Sequence, residues 1–172
     1  MAATEVVHLN GSKQLDCLIR QLDINSIKID KKKCTSLNEG PVFQSNSSVS
    51  GLAAVARALT KKSSQSSLLG TDVLEQAEVD QWLHYCVSQY AIDKSAAWKA
   101  MNDYLNDKVY FINNKLTLAD IFVYTFLERD LEHFTAADKE SHSNLLRWFD
   151  LIQRTSKVRQ KPPLLLQRTP LY

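Results

Sequence analysis

Leu116-Thr117-Leu118-Ala119-Asp120-Ile121 writes out a complete helix start within six residues. Thr117 can stand at the N-cap, Asp120 three positions on can reach back to the Thr117 amide, and Leu116 can close onto Ile121 across the first turn. A start of this kind is worth roughly 1 to 2 kcal/mol to the helix behind it. It predicts an apolar helix over 118–131, preceded by Lys108-Val109-Tyr110-Phe111-Ile112-Asn113-Asn114-Lys115. Thr117 and Asp120 are therefore structural residues, a capping pair and not catalytic machinery.

Downstream of that helix, Leu145, Trp148, Phe149 and Ile152 recur at helical spacing and predict a helix over 144–153, with a further turn after Thr135 over 136–140. Upstream, residues 74–90 form the longest candidate helix, with Val79, Leu83, Cys86, Val87 and Tyr90 on one core stripe. The next helix, 96–105, is capped by Ser95 and presents Ala97, Ala100, Met101, Tyr104 and Leu105. The first third of the chain reads differently. It has strands over 4–9, 24–29 and 42–44, a helix over 13–22 carrying Leu15, Leu18, Ile19 and Leu22, and a turn over 45–48. A helix over 50–59 follows, with Leu52, Val55, Ala56 and Leu59 on one face, and Lys/Ser-rich residues 61–67 form a connection. Residues 34–40 are too short and polar to assign. Pro162-Pro163 excludes a helix across the tail, so residues 164–166 are expected to lie extended against the globule or to be partly mobile.

A mixed strand and helix half joined by a linker to four or five helices, with the capping-box helix among them, resembles the two-domain arrangement of glutathione transferases. The expected fold is thus a reduced thioredoxin-like α/β N-terminal half (1–62), a linker (63–70), an all-helical half (71–156) and a basic extended tail (157–172). Gly40-Pro41-Val42 corresponds to the bend before the third strand. The resembled family holds that proline cis, whereas the residues alone allow equally a trans proline opening an edge strand.

A narrower resemblance rests on several stretches read together. They are Leu68-Leu69-Gly70, the series Glu75, Ala77, Val79, Gln81, Trp82, Leu83, Tyr85, Val87 and Gln89, then Tyr104-Leu105 with Asp107-Lys108-Val109-Tyr110, Thr117 to Ile121, and Arg147-Trp148-Phe149 with Ile152-Gln153. These resemble the small transferase-like auxiliary subunits of the animal multi-tRNA-synthetase complex. The likeness is strong over 68–153, moderate over 40–59 and weak before Gly40. Ser156-Lys157 stands where the family commonly has a proline, and residues 91–96 diverge.

That resemblance implies a non-catalytic adaptor, and the residues agree. A transferase needs a hydroxyl or thiol beside the first strand to stabilise the glutathione thiolate, and an acid followed by serine to hold the peptide's amino end. Ser12 lies near the first strand, but Val49 stands at the acidic position and Ser50 reads more simply as an N-cap. His8, His84, His133 and His142 fall in separate elements without ligand spacing, so no metal and no cofactor is expected. Cys17, Cys34 and Cys86 are odd in number and outside any C-x-x-C, which fits buried thiols in a reducing compartment.

Two faces remain for partners. On the first, Trp82 and Tyr85 lie one turn apart with Gln81 beside the core stripe, and the helix before the linker adds Ala53, Ala54, Arg57 and Ala58. Aromatic residues among glutamines are interface composition, and small residues let another helix approach. A packed contact between the two halves of the chain is the alternative for Trp82 and Arg57. The second face is the outward side of the last main helix: Arg147, Asp150, Leu151 and Arg154. Its alternative is a solvated face with Arg147–Asp150 and Asp150–Arg154 pairs. The resemblance implies that the partners are the transferase-like domains of methionyl-tRNA synthetase and glutamyl-prolyl-tRNA synthetase, with Arg147 as the central charged contact of the second face.

Bulk properties keep one rival reading open. The chain carries a net charge of +2, but residues 1–70 hold nine Lys/Arg against five Asp/Glu, residues 71–156 eight against fourteen, and residues 157–172 four against none. Basic ends of this kind could supply phosphate affinity and hence direct tRNA contact, although no RNA-binding aromatic motif accompanies them. A residual transferase ranks below that. No run of about 18 apolar residues is present, and residues 1–10 lack the pattern of a secretory signal, so the expectation is a cytoplasmic protein without membrane contact. Members of the resembled family also occur in the nucleus.

Overall fold

The computed structural model describes residues 5–22, 24, 27–30, 40–44, 48–159 and 163–164. β1 (Val6–His8) leads through the tight turn at Asn10 and Gly11 into α1 (Lys13–Leu22), whose bounds are those the apolar spacing predicts. β2 (Lys28–Asp30) is shorter than the alternation over 24–29 suggests and lies parallel to β1, with Val7 opposite Ile29. β3 (Val42–Gln44) runs antiparallel on the other side of β1, placing Phe43 opposite Val7. β4 (Ser48–Ser50) completes a sheet ordered β2-β1-β3-β4. Val7 and Phe43 are buried beneath Leu15, Leu18 and Leu22 of α1 and beneath Val55 and Leu59, which follow β4 in the chain.

β4 overturns two sequence expectations. Ser-Val-Ser carries a single apolar residue, too little for an alternation to register, yet its backbone pairs with β3. Ser50 thus belongs to a strand and does not cap a helix. α2 (Leu52–Lys62) starts instead from Gly51, whose φ of 95° needs a residue without a Cβ and whose amide donates to the Pro41 carbonyl at 3.0 Å. The Gly40–Pro41 bond is trans. A 3-10 turn at Ser66–Leu69 then buries Leu68 and Leu69 and occupies the end of the expected linker.

The helical half contains α3 (Val73–Ile92), α4 (Lys94–Tyr104), α5 (Leu118–Leu131), α6 (Ala136–Ser141) and α7 (Ser143–Thr155). Asp93, not Ser95, caps α4. Its carboxylate accepts from the Ala96 amide at 3.0 Å while its own amide closes α3 onto Gln89. Ser95 sits inside the first turn as a result. On α3 the stripe Val79, Leu83, Cys86 and Tyr90 is buried, but Val87 is half exposed, and on α4 Ala100 is exposed beside buried Ala97 and Met101. Both lie at the edge of their apolar arc, where one position decides burial.

α5 is the centre of this half, packed against α1, α3 and α7. Asp120 is fully buried, and four groups donate to it. The Thr117 amide and hydroxyl reach Oδ2 at 2.9 and 2.8 Å, and the Phe111 amide and Trp148 indole reach Oδ1 at 3.0 and 2.9 Å. Burial pushes its pKa up and the four donors hold the rise back. The capping residue is therefore also the polar hub joining the 106–117 loop, α5 and α7. A second junction forms at the start of α3. There Asp72 caps the Glu75 amide at 2.8 Å, and the Glu75 carboxylate accepts from the Thr71 amide, Asn113 and Lys115. Those donors hold the Glu75 carboxyl well below its ordinary value, at about 2, with Lys115 the largest cause.

Candidate docking surfaces

The first surface is built by α2 and the α3 helix beside it. Burial of Val55, Ala56, Leu59 and Thr60 turns Ala54 to solvent and leaves Ala53, Arg57 and Ala58 at the margin. Arg57 pairs with Asp80 of α3, so it ties the two halves of the chain together across their junction. Gln81 is exposed on the same helix and Tyr85 is half-buried. Trp82 is not spare. Its ring meets Phe111, Tyr104 and Tyr85 edge-on at centroid distances of 4.4, 4.9 and 5.4 Å, an arrangement that favours the aromatic quadrupoles. It locks α3 to α4 and the 106–117 loop within the helical half, so its packing is neither the spare aromatic face nor the contact between halves expected for it.

Apolar surface on α3 comes instead from residues outside the Trp82/Tyr85 pair. Val73 and Leu74 are 83% and 69% exposed at the start of α3, and Ile92 is 79% exposed at its end. Their signal was present: α3 carries apolar residues on sides that its core stripe cannot use, and such a helix needs cover beyond its own core.

The second surface is α7. Leu145, Trp148, Phe149 and Ile152 point inward as their spacing requires, joined by Leu146 and Gln153. Arg147 remains exposed but is engaged. Its guanidinium donates to the Leu105 carbonyl at 2.7 Å and the Lys108 carbonyl at 3.0 Å, just past the end of α4, where a cation is favoured. Of the two pairs in the solvated-face alternative, Arg147–Asp150 is replaced by these contacts, whereas Asp150 and Arg154 do pair, at 2.9 Å. Leu151 is part-exposed, and together with Arg147, Trp148 and Val109 it lines an open hollow of about 390 Å³ beside the 106–109 turn. Arg147, Asp150, Leu151 and Arg154 thus form one face, as their spacing implies.

The region where a transferase would work is differently equipped. The Ser12 hydroxyl accepts from the Leu15 amide at 3.4 Å and donates to Gln14, which makes it the cap of α1. Val49 is part-buried in β4, and a shallow hollow of about 220 Å³ lies over Leu9, Gly11, Ser12, Lys13 and Asp16. A larger cleft of about 660 Å³ separates the start of α1 from the ends of α3 and α5. On its wall Tyr90 donates to Asp130, which Lys94 also holds at 2.9 Å. Burial pushes the Tyr90 phenol and the Cys86 thiol up, so neither is an activated nucleophile. Cys17 is buried, and Cys34 lies outside the described residues. Among the described residues no group of three or more His, Cys, Asp or Glu could hold a metal ion, and no helix is long and apolar enough to cross a membrane.

Comparison with known proteins gives this geometry its context. Residues 75–156 match the family model described as nuclear-export cofactor Arc1p. Eukaryotic translation elongation factor 1 epsilon-1 of Cricetulus griseus is 40% identical over 127 residues, covering 70% of this chain and 73% of that protein. The Homo sapiens protein of the same name is 39% identical over 157 residues, covering 87% and 89%. The chain belongs to the elongation factor 1 epsilon-1 family. Its connection with translation follows from that membership. It is also 24% identical over 167 residues to the bifunctional glutamate/proline-tRNA ligase of Cricetulus griseus, an alignment that takes in 92% of this chain but 11% of the ligase. Among solved structures, a glutathione S-transferase from Pichia kudriavzevii superposes with a TM-score of 0.70 at 16% identity over 90% of this chain and 93% of that one, which establishes the glutathione-transferase fold.

Proposed function

We propose that the protein is a non-catalytic adaptor of the translation apparatus, holding the transferase-like domains of methionyl- and glutamyl-prolyl-tRNA synthetase through its α2/α3 and α7 faces. One observation carries the reading: nearly the whole chain aligns with a small part of glutamate/proline-tRNA ligase. A chain related to a segment of a synthetase is suited to pair with such segments, because related folds offer matching helix faces. The α2/α3 face contributes Ala53, Arg57, Gln81 and Tyr85, with exposed Leu74 as its apolar part; the α7 face contributes Arg147, Asp150, Leu151 and Arg154. The absence of catalysis is part of the proposal. It is supported by Val49 at the position needing an acid and by the commitment of Ser12 to capping. A cytoplasmic location is proposed with it.

Arg57 and Arg147 are poor test positions, since both make contacts within the chain. Ala54→Arg and Leu151→Arg instead place charge on exposed or part-exposed positions. Binding of the two synthetase domains by each variant gives the test. Each variant should lose one partner, with affinity lowered at least roughly thirtyfold for a cost of about 2 kcal/mol, and keep the other. Retention of both partners by both variants would sink the two-face reading. Capture of tRNA alone, with a steep loss of affinity as salt rises, would replace it by tRNA binding.

A further inference from the structure

The connection between the two halves is a run of serines behind two lysines, Lys61-Lys62-Ser63-Ser64-Gln65-Ser66-Ser67. The fold treats these serines differently. The Ser63 hydroxyl is spent at the end of α2, donating to the Thr60 carbonyl at 2.8 Å and accepting from the Gln65 amide at 3.1 Å. Ser66 and Ser67 are exposed in the 3-10 turn, and both line an open hollow of about 440 Å³ that Arg57 and Lys61 also line, one turn apart on α2. Neither of these two hydroxyls has a hydrogen-bond partner among the described residues. The carboxylates of this region are taken: Asp80 pairs with Arg57, and Glu75 is held by Thr71, Asn113 and Lys115. Lys61 has no carboxylate partner among the described residues. Two uncommitted hydroxyls thus share a hollow with two cations, and one of those cations is uncompensated among the described residues.

We propose that Ser66 and Ser67 are a phosphoacceptor pair and that Arg57 and Lys61 receive the phosphate. The reaction is phosphoryl transfer by a serine/threonine kinase that prefers basic residues upstream of its target. Oγ attacks the γ-phosphorus of MgATP, the bond to the β-phosphate oxygen breaks, ADP leaves, and the hydroxyl proton passes to the kinase's base. Lys61 and Lys62 precede the serines in the same run and are exposed with them, so a kinase can reach both charges and target without opening the core. A short 3-10 turn also opens locally at little cost. The product carries a charge of about −1.5 to −2 and three acceptor oxygens. A guanidinium offers such a group two parallel donors, and a dianion competes well against the single carboxylate of Asp80. Arg57 would then leave Asp80, breaking the pair that ties α2 to α3 and turning the neighbouring face acidic. Phosphorylation thus weakens docking at the α2/α3 face and leaves α7 untouched. That consequence rests on the adaptor reading, but the site itself belongs to the isolated protein.

The test treats the full chain with MgATP and a panel of basophilic serine/threonine kinases, locating the label by fragment mass spectrometry. In parallel, phosphoserine is installed at Ser66 or at Ser67 by nonsense suppression and titrated by phosphorus NMR. Label should fall on Ser66 or Ser67, and the second pKa of the installed phosphate should lie below its ordinary value of about 6, because two cations favour the dianion. Lys61→Gln should bring that pKa back part of the way and Arg57→Gln with Lys61→Gln the rest; the first variant leaves the Arg57–Asp80 pair in place, so its fold is not at stake. The phosphorylated chain should bind the partner that Ala54→Arg removes roughly fivefold or more weakly and keep the other. No label at either serine across the panel, or a phosphate titrating at its ordinary value at both positions, would overturn the site. Saturable binding of inorganic phosphate by the unmodified chain, lost in the double variant, would assign the hollow to a free anion and overturn the modification. If neither synthetase domain binds the unmodified chain the adaptor reading fails, and the label and the titration alone decide the site.

Discussion

Removing the Asp120 carboxylate should unfasten three parts of the chain at once. Asp120→Ala strands four buried donors: the Thr117 amide and hydroxyl, the Phe111 amide and the Trp148 indole. At about 1 to 3 kcal/mol for each stranded group the sum reaches roughly 10 kcal/mol. The carboxylate's own desolvation cost is recovered, which brings the net to about 3 to 5 kcal/mol, the range for parting a buried charge from its partners. For a chain of this length, at about 2 to 4 °C per kcal/mol, the melting midpoint should fall by roughly 6 to 20 °C. Asp120→Asn separates the loss of an acceptor from the loss of volume, because its NH2 must face one of the same donors, and it should also destabilise. Thermal melts followed by circular dichroism give the magnitude, and hydrogen exchange at the Trp148 indole shows whether the hub has opened. A midpoint within 2 °C of the parent (on the order of 1 kcal/mol) with a protected indole would refute the reasoning.

Further predictions follow from the start of α3 and from the first strand. The Glu75 carboxyl has its pKa lowered to about 2, so its stabilising contribution is complete above its ordinary value of 4.5 and is lost as pH falls from there toward 2. Acid unfolding should therefore be shallower over that window in Glu75→Gln than in the parent, and superimposable profiles would count against the Lys115 contact. Gly70→Ala should destabilise by about 1 to 3 kcal/mol, because φ there is +101° and an added Cβ would lie 2.7 Å from Glu75 Cβ; chemical denaturation measures it. Conjugation of glutathione to a generic electrophile should stay at the uncatalysed rate. Turnover that Ser12→Ala abolishes would restore a catalytic role to that hydroxyl.

The helical half was legible because its signals are long: α5 and α7 each spread apolar residues over several turns, and Thr117 with Asp120 fixes where α5 begins. The strand half was less so. β4 carries one apolar residue in three, and β2 keeps only the last part of an alternating stretch, since sheet pairing is set by neighbours and not by the segment itself. The two proposed surfaces differ in how far spacing alone indicates their residues. Spacing placed Leu151 and Arg154 outward, yet it could not foresee that Trp82 meets Phe111, a residue 29 positions away in sequence, or that Arg147 serves the end of α4. Val73 lies outside the 74–90 helix that the spacing predicts, and Leu74, at its first position, falls on neither the core stripe nor the Trp82 face. Gln153 enters the sequence only as part of the family resemblance, and its hold on the Leu164 backbone becomes visible only with the fold.

α3 ends at Ile92, α4 begins at Lys94, and Asp93 serves both. A single shared residue leaves no slack in chain length. Inserting or deleting one residue would turn α4 by about 100° relative to α3, since a helix advances one turn in about 3.6 residues. Ala97 and Met101 would then swing out of the core and exposed positions would swing in. The junction can therefore drift in composition over evolutionary time while its length stays fixed, and a loop graft here must replace residue for residue.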